Sequence, residues 1–302
     1  MTFLLACAVL ILLLTGHWGW ALAVLLLLLL LSPSKSEPPS PSSPASRPAS
    51  YAPEVRRETT LVPLVRPAGP SDVDYGVDAF AFHDWLASPD VMGTPAGGLE
   101  ADGEASGMAG YNVAAGVKGE LSVAHMLASM DLKGARVYLS CRNPGDASGA
   151  ADIDLVVATG RTVWLLDAKH YAPARDGMWL VPTTADPASW KPYDLRGYGP
   201  DANVEGVPLA SLDGITPDRL YHASGNMAWA ADEIRKALPG ISVRPVVLLS
   251  RTARGTYGVM RDTVFPGGVP VTTADAWAAS FSSEGAPSKQ SDYYLWKLVK
   301  NA

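Results

Sequence analysis

Residues 3–31 run FLLACAVLILLLTGHWGWALAVLLLLLLL without one Lys, Arg, Asp or Glu. At about 1.5 Å per residue, a helix over this run reaches roughly 43 Å, against a bilayer hydrocarbon core of about 30 Å. One tilted or kinked transmembrane helix over residues 1–31 is the expected use of such a stretch. Gly16, His17 and Gly19 interrupt it, so two re-entrant halves meeting at Gly16 to Trp20 are the competing geometry. Each half would have only about 12 residues, too few to cross alone, although Trp18 and Trp20 suit a headgroup region. The run lacks a basic leading segment and a small-x-small cleavage site, which argues against a removed signal peptide. Lys35, Arg47, Arg56 and Arg57 follow the run, and the positive-inside bias then places the bulk of the chain in the cytoplasm as a single-pass membrane protein. Cys7 and Cys141 are the only cysteines, one in the apolar run and one far beyond it. That usage agrees with a reducing compartment.

Residues 32–70 are rich in Pro and Ser and poor in large apolar side chains. Such a segment buries too little surface to offset chain entropy, so a disordered linker is expected there. Residues 71–110 are acidic and Gly-rich and read as peripheral, with Phe80, Phe82, Trp85 and Leu86 forming a helical turn that docks on the folded part.

From residue 111 to 302 the pattern becomes that of a globular domain. Val117, Leu121, Ala124 and Leu127 or Ala128 recur at helical spacing over residues 112–130. Residues 135–141 read as a strand closed by the turn Asn143-Pro144-Gly145. Residues 153–158 and 162–168 read as two strands joined through Thr159-Gly160-Arg161, a hairpin connection. Met178 to Val181 is a further short strand, and 183–215, rich in Pro, Gly and Asp, reads as a surface insertion. Thr216-Pro217 looks like a helix start, with Thr as N-cap and Pro at the first helical position, for a helix running to Leu238. Residues 243–250 and 269–271 read as strands, and 274–281 and 293–299 as closing helices. The expected fold class is α/β, a mixed central sheet flanked by helices.

The informative residues are charged ones on otherwise apolar elements, because a buried charge is costly unless paired or metal-bound. Asp154 stands in Ile-Asp-Leu-Val-Val. Asp167 ends Val-Trp-Leu-Leu and is followed two residues later by Lys169. Alternation along a strand puts Asp167 and Lys169 on one face, and pairing across the hairpin would bring Asp154 beside Asp167. Glu120 shares the sheet-facing side of the first long helix. Converging carboxylates suit a hard cation such as Mg²⁺ or Mn²⁺, which polarises a phosphodiester and activates water, while a nearby lysine balances developing charge. Taken alone, Asp167 and Lys169 read more simply as an exposed strand-end ion pair; Glu120 and Asp154 in register shift the balance toward a site.

With these residues in hand, Val117-Lys118-Gly119-Glu120, Ile153 to Val157 and Trp164 to Tyr171 together resemble the NERD (nuclease-related) domain family, within the PD-(D/E)xK, restriction-endonuclease-like group. The resemblance covers about residues 111–280. It implies a restriction-endonuclease-like fold and metal-dependent cleavage of DNA, with Glu120, Asp154 and Asp167 as metal ligands and Lys169 as the catalytic lysine. Two departures stand out. Asp167 occupies a position that is more often Glu, and the helix expected from Thr216 carries no early Gln, leaving His222 or Asn226 as substitutes. The alternative is an inactive nuclease fold that binds nucleic acid or a protein partner at the membrane.

The net charge of −6 offers no basic footprint for broad nucleic-acid binding and favours that alternative. His125, His170 and His222 match no standard zinc spacing and are read as ordinary histidines. Arg175, Arg219 and Arg251 could touch a phosphate backbone, though scattered solvated charges are the simpler reading. Trp164, Trp179, Trp190 and Trp229 are read as core residues before stacking platforms.

Overall fold

The structure is a computed structural model, and it describes residues 72–97, 110–148, 151–171, 178–180, 193–211, 214–252, 258–259 and 262–300. The expected span and linker lie outside these residues. Among the described residues no helix is long and apolar enough to cross a membrane.

The elements, in chain order, are α1 (Ala79–Leu86), β1 (Val91–Met92), α2 (Gly110–Ala128), β2 (Arg136–Arg142), β3 (Asp152–Thr159), β4 (Thr162–Lys169), β5 (Met178–Leu180), β6 (Asn203–Ser211) and β7 (Gly214–Ser224). There follow α3 (Asn226–Ala237), β8 (Ser242–Leu249), β9 (Gly258–Val259), β10 (Val264–Phe265), β11 (Val269–Thr273), α4 (Ala274–Ser280) and α5 (Lys289–Trp296). The main sheet has seven strands in the order β1-β2-β3-β4-β8-β11-β10. β2, β3 and β4 form an antiparallel meander, whereas β4–β8 and β8–β11 pair in parallel, so the sheet is mixed. The fold is therefore α/β with a mixed seven-stranded sheet.

Helices cover both faces. On one, Val123, Ala124 and Leu127 of α2 and Trp277 of α4 pack with Leu139, Leu155, Val157 and Leu166. On the other, Met227, Ala231 and Ile234 of α3 and Leu295 of α5 pack with Tyr138, Val156, Val163 and Leu165. The near-continuous burial of β3, β4 and β8 follows from this two-sided cover.

Two expectations are corrected. The helix expected from Thr216 starts only at Asn226. Asn203–Ser211 and Gly214–Ser224 instead form the antiparallel pair β6–β7, part of a second sheet ordered β7-β6-β5-β9. Pro217 lies opposite Ala210 beside register shifts, a place where a strand tolerates a residue without an amide donor. The last helix also begins earlier than expected, because Ser288 caps it by accepting from the Ser291 amide. Residues 72–97, read as peripheral, supply the edge strand β1, which pairs in parallel with β2.

Candidate active site

The site forms where β3 and β4 part company. Their pairing ends at Leu155↔Leu166, so Asp154 and Asp167 are the next residues on the two strands. β4 nonetheless stays paired with β8 as far as Lys169↔Leu249, and the Ser250 amide then donates to the Lys169 carbonyl. With β3 no longer its partner there, the Ala168 amide donates to Asp154 Oδ2 at 2.7 Å. A side chain has replaced the missing rung of the ladder.

A change of face on β2 and β3 explains how Asp154 reaches that position. Leu139 and Leu155 are opposite each other and belong to the core under α2. Their neighbours two residues on, Cys141 and Ile153, are also paired, but belong to the core on the other face. Strict alternation would keep all four on one face. Between the two pairs stand Ser140 and Asp154, and Ser140 has φ of 51°, a left-handed conformation that breaks the alternation. Ser140 is held there by its hydroxyl, which donates to Thr94 O and accepts from the Gly97 amide.

Glu120 arrives from α2. Burial on that helix centres on 120, 123, 124 and 127, a stripe rotated from the expected one, because Val117 and Leu121 are only half-buried. Glu120 itself is 4 % exposed. Its Oε2 accepts from the Ala96 amide at 2.9 Å, a donor supplied by the loop that follows β1. Gly119 makes the close approach possible, since a Cβ there would lie 3.2 Å from His170 Cβ.

Lys169 Nζ donates to Asp167 Oδ1 at 2.7 Å, with the carboxylate 13 % exposed and the lysine 33 %. The carboxylates act on one another. Burial pushes Glu120 up to about 7; the Ala96 amide opposes the rise, Asp152 and Asp167 add to it, and Lys169 counters them. Burial also drives Asp154 well above the carboxylate range, with Glu120 and Asp167 adding to it. For Lys169, burial alone would favour the neutral amine, but Asp167 and Asp154 outweigh it and hold the ammonium charged. The four residues singled out in the sequence are thus one electrostatically linked group.

Asp152 belongs to the same group and was not singled out. It lies two residues before Asp154 and raises Glu120. Burial raises Asp152 in turn, against Lys300 and Lys169. The alternation Asp-x-Asp at the start of β3 was the available signal. Asn226, weighed as a substitute for the missing Gln, opens α3 but donates to the Asp152 carbonyl at 2.8 Å and accepts from Asn143 at 2.6 Å, so it braces β3. His170 shares a 2.9 Å hydrogen bond between Nδ1 and Ser250 Oγ; burial, then Lys118, pulls its pKa down.

Three other groups settle elsewhere. His125 stacks on Phe82, and His222 is exposed. Arg251 makes a 2.6 Å ion pair with Asp275 and lies 3.8 Å over the Tyr75 ring, which ties Tyr75 to α4. Arg175 and Trp190 lie outside the described residues, as do the side chains of Arg219 and Trp179. Trp164, read as core, is only partly buried: it packs edge-on against the buried Trp277, with Arg244 over its ring.

Among the described residues, no group of three or more His, Cys, Asp and Glu side chains is arranged to hold a metal ion. The donor chemistry nevertheless fits a hard divalent cation. The set is oxygen-only, and its burial and mutual repulsion are what a bound cation relieves. One oxygen of Glu120 and one of Asp154 are pinned by backbone amides.

One comparison with known proteins finds a family match that spans these residues. Residues 115–250 match the family model NERD, the nuclease-related domain. The matched stretch opens in α2 and closes at Ser250, so it contains Glu120, Asp154, Asp167 and Lys169. No curated protein and no solved structure matches the chain. The NERD match therefore points to a nuclease-like function, and the finer chemistry has to be argued from the site.

Proposed function

We propose that the chain is a membrane-anchored, nuclease-like enzyme that hydrolyses DNA phosphodiester bonds with Mg²⁺ or Mn²⁺. The observation that carries this reading is the linked group Glu120, Asp154, Asp167 and Lys169 at the fork between β3 and β4. Glu120, Asp154 and Asp167 would hold the cation. When bound, it supplies Lewis acidity toward the phosphoryl oxygen and a more acidic water. Lys169 keeps its proton beside Asp167 and offers a fixed positive charge to a phosphate oxygen or to the attacking water. The two backbone amides at Ala96 and Ala168 fix the carboxylates in place before substrate arrives. The membrane anchor rests on the uncharged run at 3–31, and the cytoplasmic side on the basic residues that follow it.

In the test, full-length protein in detergent is incubated with duplex DNA and with RNA, in Mg²⁺, in Mn²⁺ and in chelator. Cutting of DNA that needs the metal is expected. Asp167→Ala and Lys169→Ala should each lower it by roughly a hundredfold or more while the thermal midpoint stays near that of wild type. Wild type and both variants behaving alike on every substrate would defeat the enzymatic reading. Protease added to intact cells should spare the C-terminal part; its digestion would reverse the orientation.

A second reading, a binding module that has kept the nuclease fold without catalysis, is favoured by the direct Lys169–Asp167 pair, which occupies one ligand oxygen, and by the net charge of −6. Titration with Mn²⁺ separates the two. Binding that Asp154→Ala abolishes supports the enzyme, and no binding by wild type supports the module.

A further inference from the structure

The C-terminal residues close on the site from outside the matched stretch. After α5 the chain turns tightly, the Val299 amide donating to the Trp296 carbonyl, and then runs antiparallel to the end of β2. The Arg142 amide donates to Leu298 O at 2.7 Å, the Lys300 amide donates to Ser140 O at 2.8 Å, and Val299 bridges Cys141. Ser140 is the residue whose left-handed backbone stands across from Asp154, so the tail is bonded to the point where the sheet changes face. Lys300 is 8 % exposed, and its Nζ lies 3.5 Å from Asp152 Oδ2. Val299 is 4 % exposed and packs against Gly93, where a Cβ would come within 2.8 Å of Val299 Cγ1. Gly93 begins the loop whose Ala96 amide holds Glu120. The tail therefore touches the supports of both Asp154 and Glu120.

We propose that Lys300 is a positioning residue of the active site: through its ion pair with Asp152 it fixes the start of β3, and with it the Asp154 carboxylate, relative to Glu120 and Asp167. A buried lysine at this place needs a partner, and a surface ion pair elsewhere on the domain would serve stability equally well without touching the site. Displacing reacting groups by about 1 Å costs up to roughly a hundredfold in rate, so a strut of this kind acts on turnover more than on substrate affinity. The inference rests on the nuclease reading.

The experiment compares wild type, Lys300→Met and Lys300→Arg in the full chain, with DNA cleavage kinetics, thermal midpoints and Mn²⁺ binding followed by the spin-resonance signal of free Mn²⁺. The expected result is a kcat for Lys300→Met lower by roughly ten- to a hundredfold with KM within about twofold, restored to within about threefold by Lys300→Arg. Four results overturn the proposal: unchanged kcat in Lys300→Met, a raised KM with kcat kept, a loss of activity that Lys300→Arg does not restore, or unfolding of both variants. If wild type does not cut DNA, the nuclease reading fails on its own, and Mn²⁺ binding decides the positioning role. Affinity weakened about tenfold in Lys300→Met and recovered in Lys300→Arg supports it. Affinity equal to or tighter than wild type, the outcome of merely removing a positive charge, overturns it, as does a wild type that binds no Mn²⁺.

Discussion

Glu120 shows how much of this site is set by burial. A carboxyl on a helix stripe that faces the sheet is held near neutrality, at about 7, against an ordinary value of 4.5. Because the folded-state pKa is raised, the folded chain binds more protons than the unfolded chain between those two values. Stability at Glu120 is thus fully present below about 4.5 and is lost as pH climbs through about 7. Asp154, also raised, works in the same direction. Glu120→Gln keeps an acceptor for the Ala96 amide and removes the charge. It should stabilise the metal-free protein at pH 8 by on the order of 2 kcal/mol and have little effect at pH 4. Urea unfolding at both pH values checks this, and a variant less stable than wild type at pH 8 would sink the argument. If the carboxylates hold a cation, added Mn²⁺ should narrow the difference, since the ligand stabilises the wild type.

At the scale of elements, apolar periodicity located α2, β2, β3, β4 and β8, because each is buried by its own residues and the pattern is local. The acid-x-Lys ending of β4 and the Asp near the start of β3 were legible for the same reason. What was not legible depends on partners distant in sequence. Nothing in Ser140 announces a left-handed strand residue, since its conformation is fixed by Thr94 and Gly97. The Thr216-Pro217 cap signal was overridden by pairing of Gly214–Ser224 with β6, a tertiary preference that local propensity does not encode. The loop after β1 is a second such case, and it carries a prediction. Gly93 has φ of 88°, and a Cβ there would lie 2.5 Å from the Leu139 carbonyl oxygen and 2.8 Å from Val299 Cγ1. Gly93→Ala should cost about 1–3 kcal/mol in denaturant unfolding. It should also loosen the Ala96 amide that lowers Glu120, so the loss of stability with rising pH extends to higher pH. A variant with wild-type stability and wild-type pH dependence would show that the loop is not under this constraint.

For the whole molecule, the matched stretch 115–250 is smaller than the physical unit. β8 closes that stretch, and its far edge is covered by β11 through Val271↔Val247, Thr272↔Leu248 and Thr273↔Leu249. Beyond residue 250, α4 delivers Trp277 to one core, and α5 and the tail deliver Leu295 and Val299 to the other. Before residue 115, β1 covers the opposite edge of β2, and Phe82 and Trp85 pack on the core under α2. Cutting at 115 and 250 would therefore uncover both sheet edges and open both cores, and each buried large side chain lost removes on the order of 2 kcal/mol. It would also strip Glu120 of the Ala96 amide and Asp152 of Lys300. A fragment of residues 115–250 is expected to show no cooperative thermal transition by circular dichroism and to aggregate, whereas residues 72–302 unfold in one transition. A fragment that melted cooperatively within about 5 °C of the longer chain would mean that the flanking elements add little. The site would then have to be explained from the matched residues alone. If the fragment fails as expected, the segments on either side of the nuclease-related match are what hold the proposed site in shape.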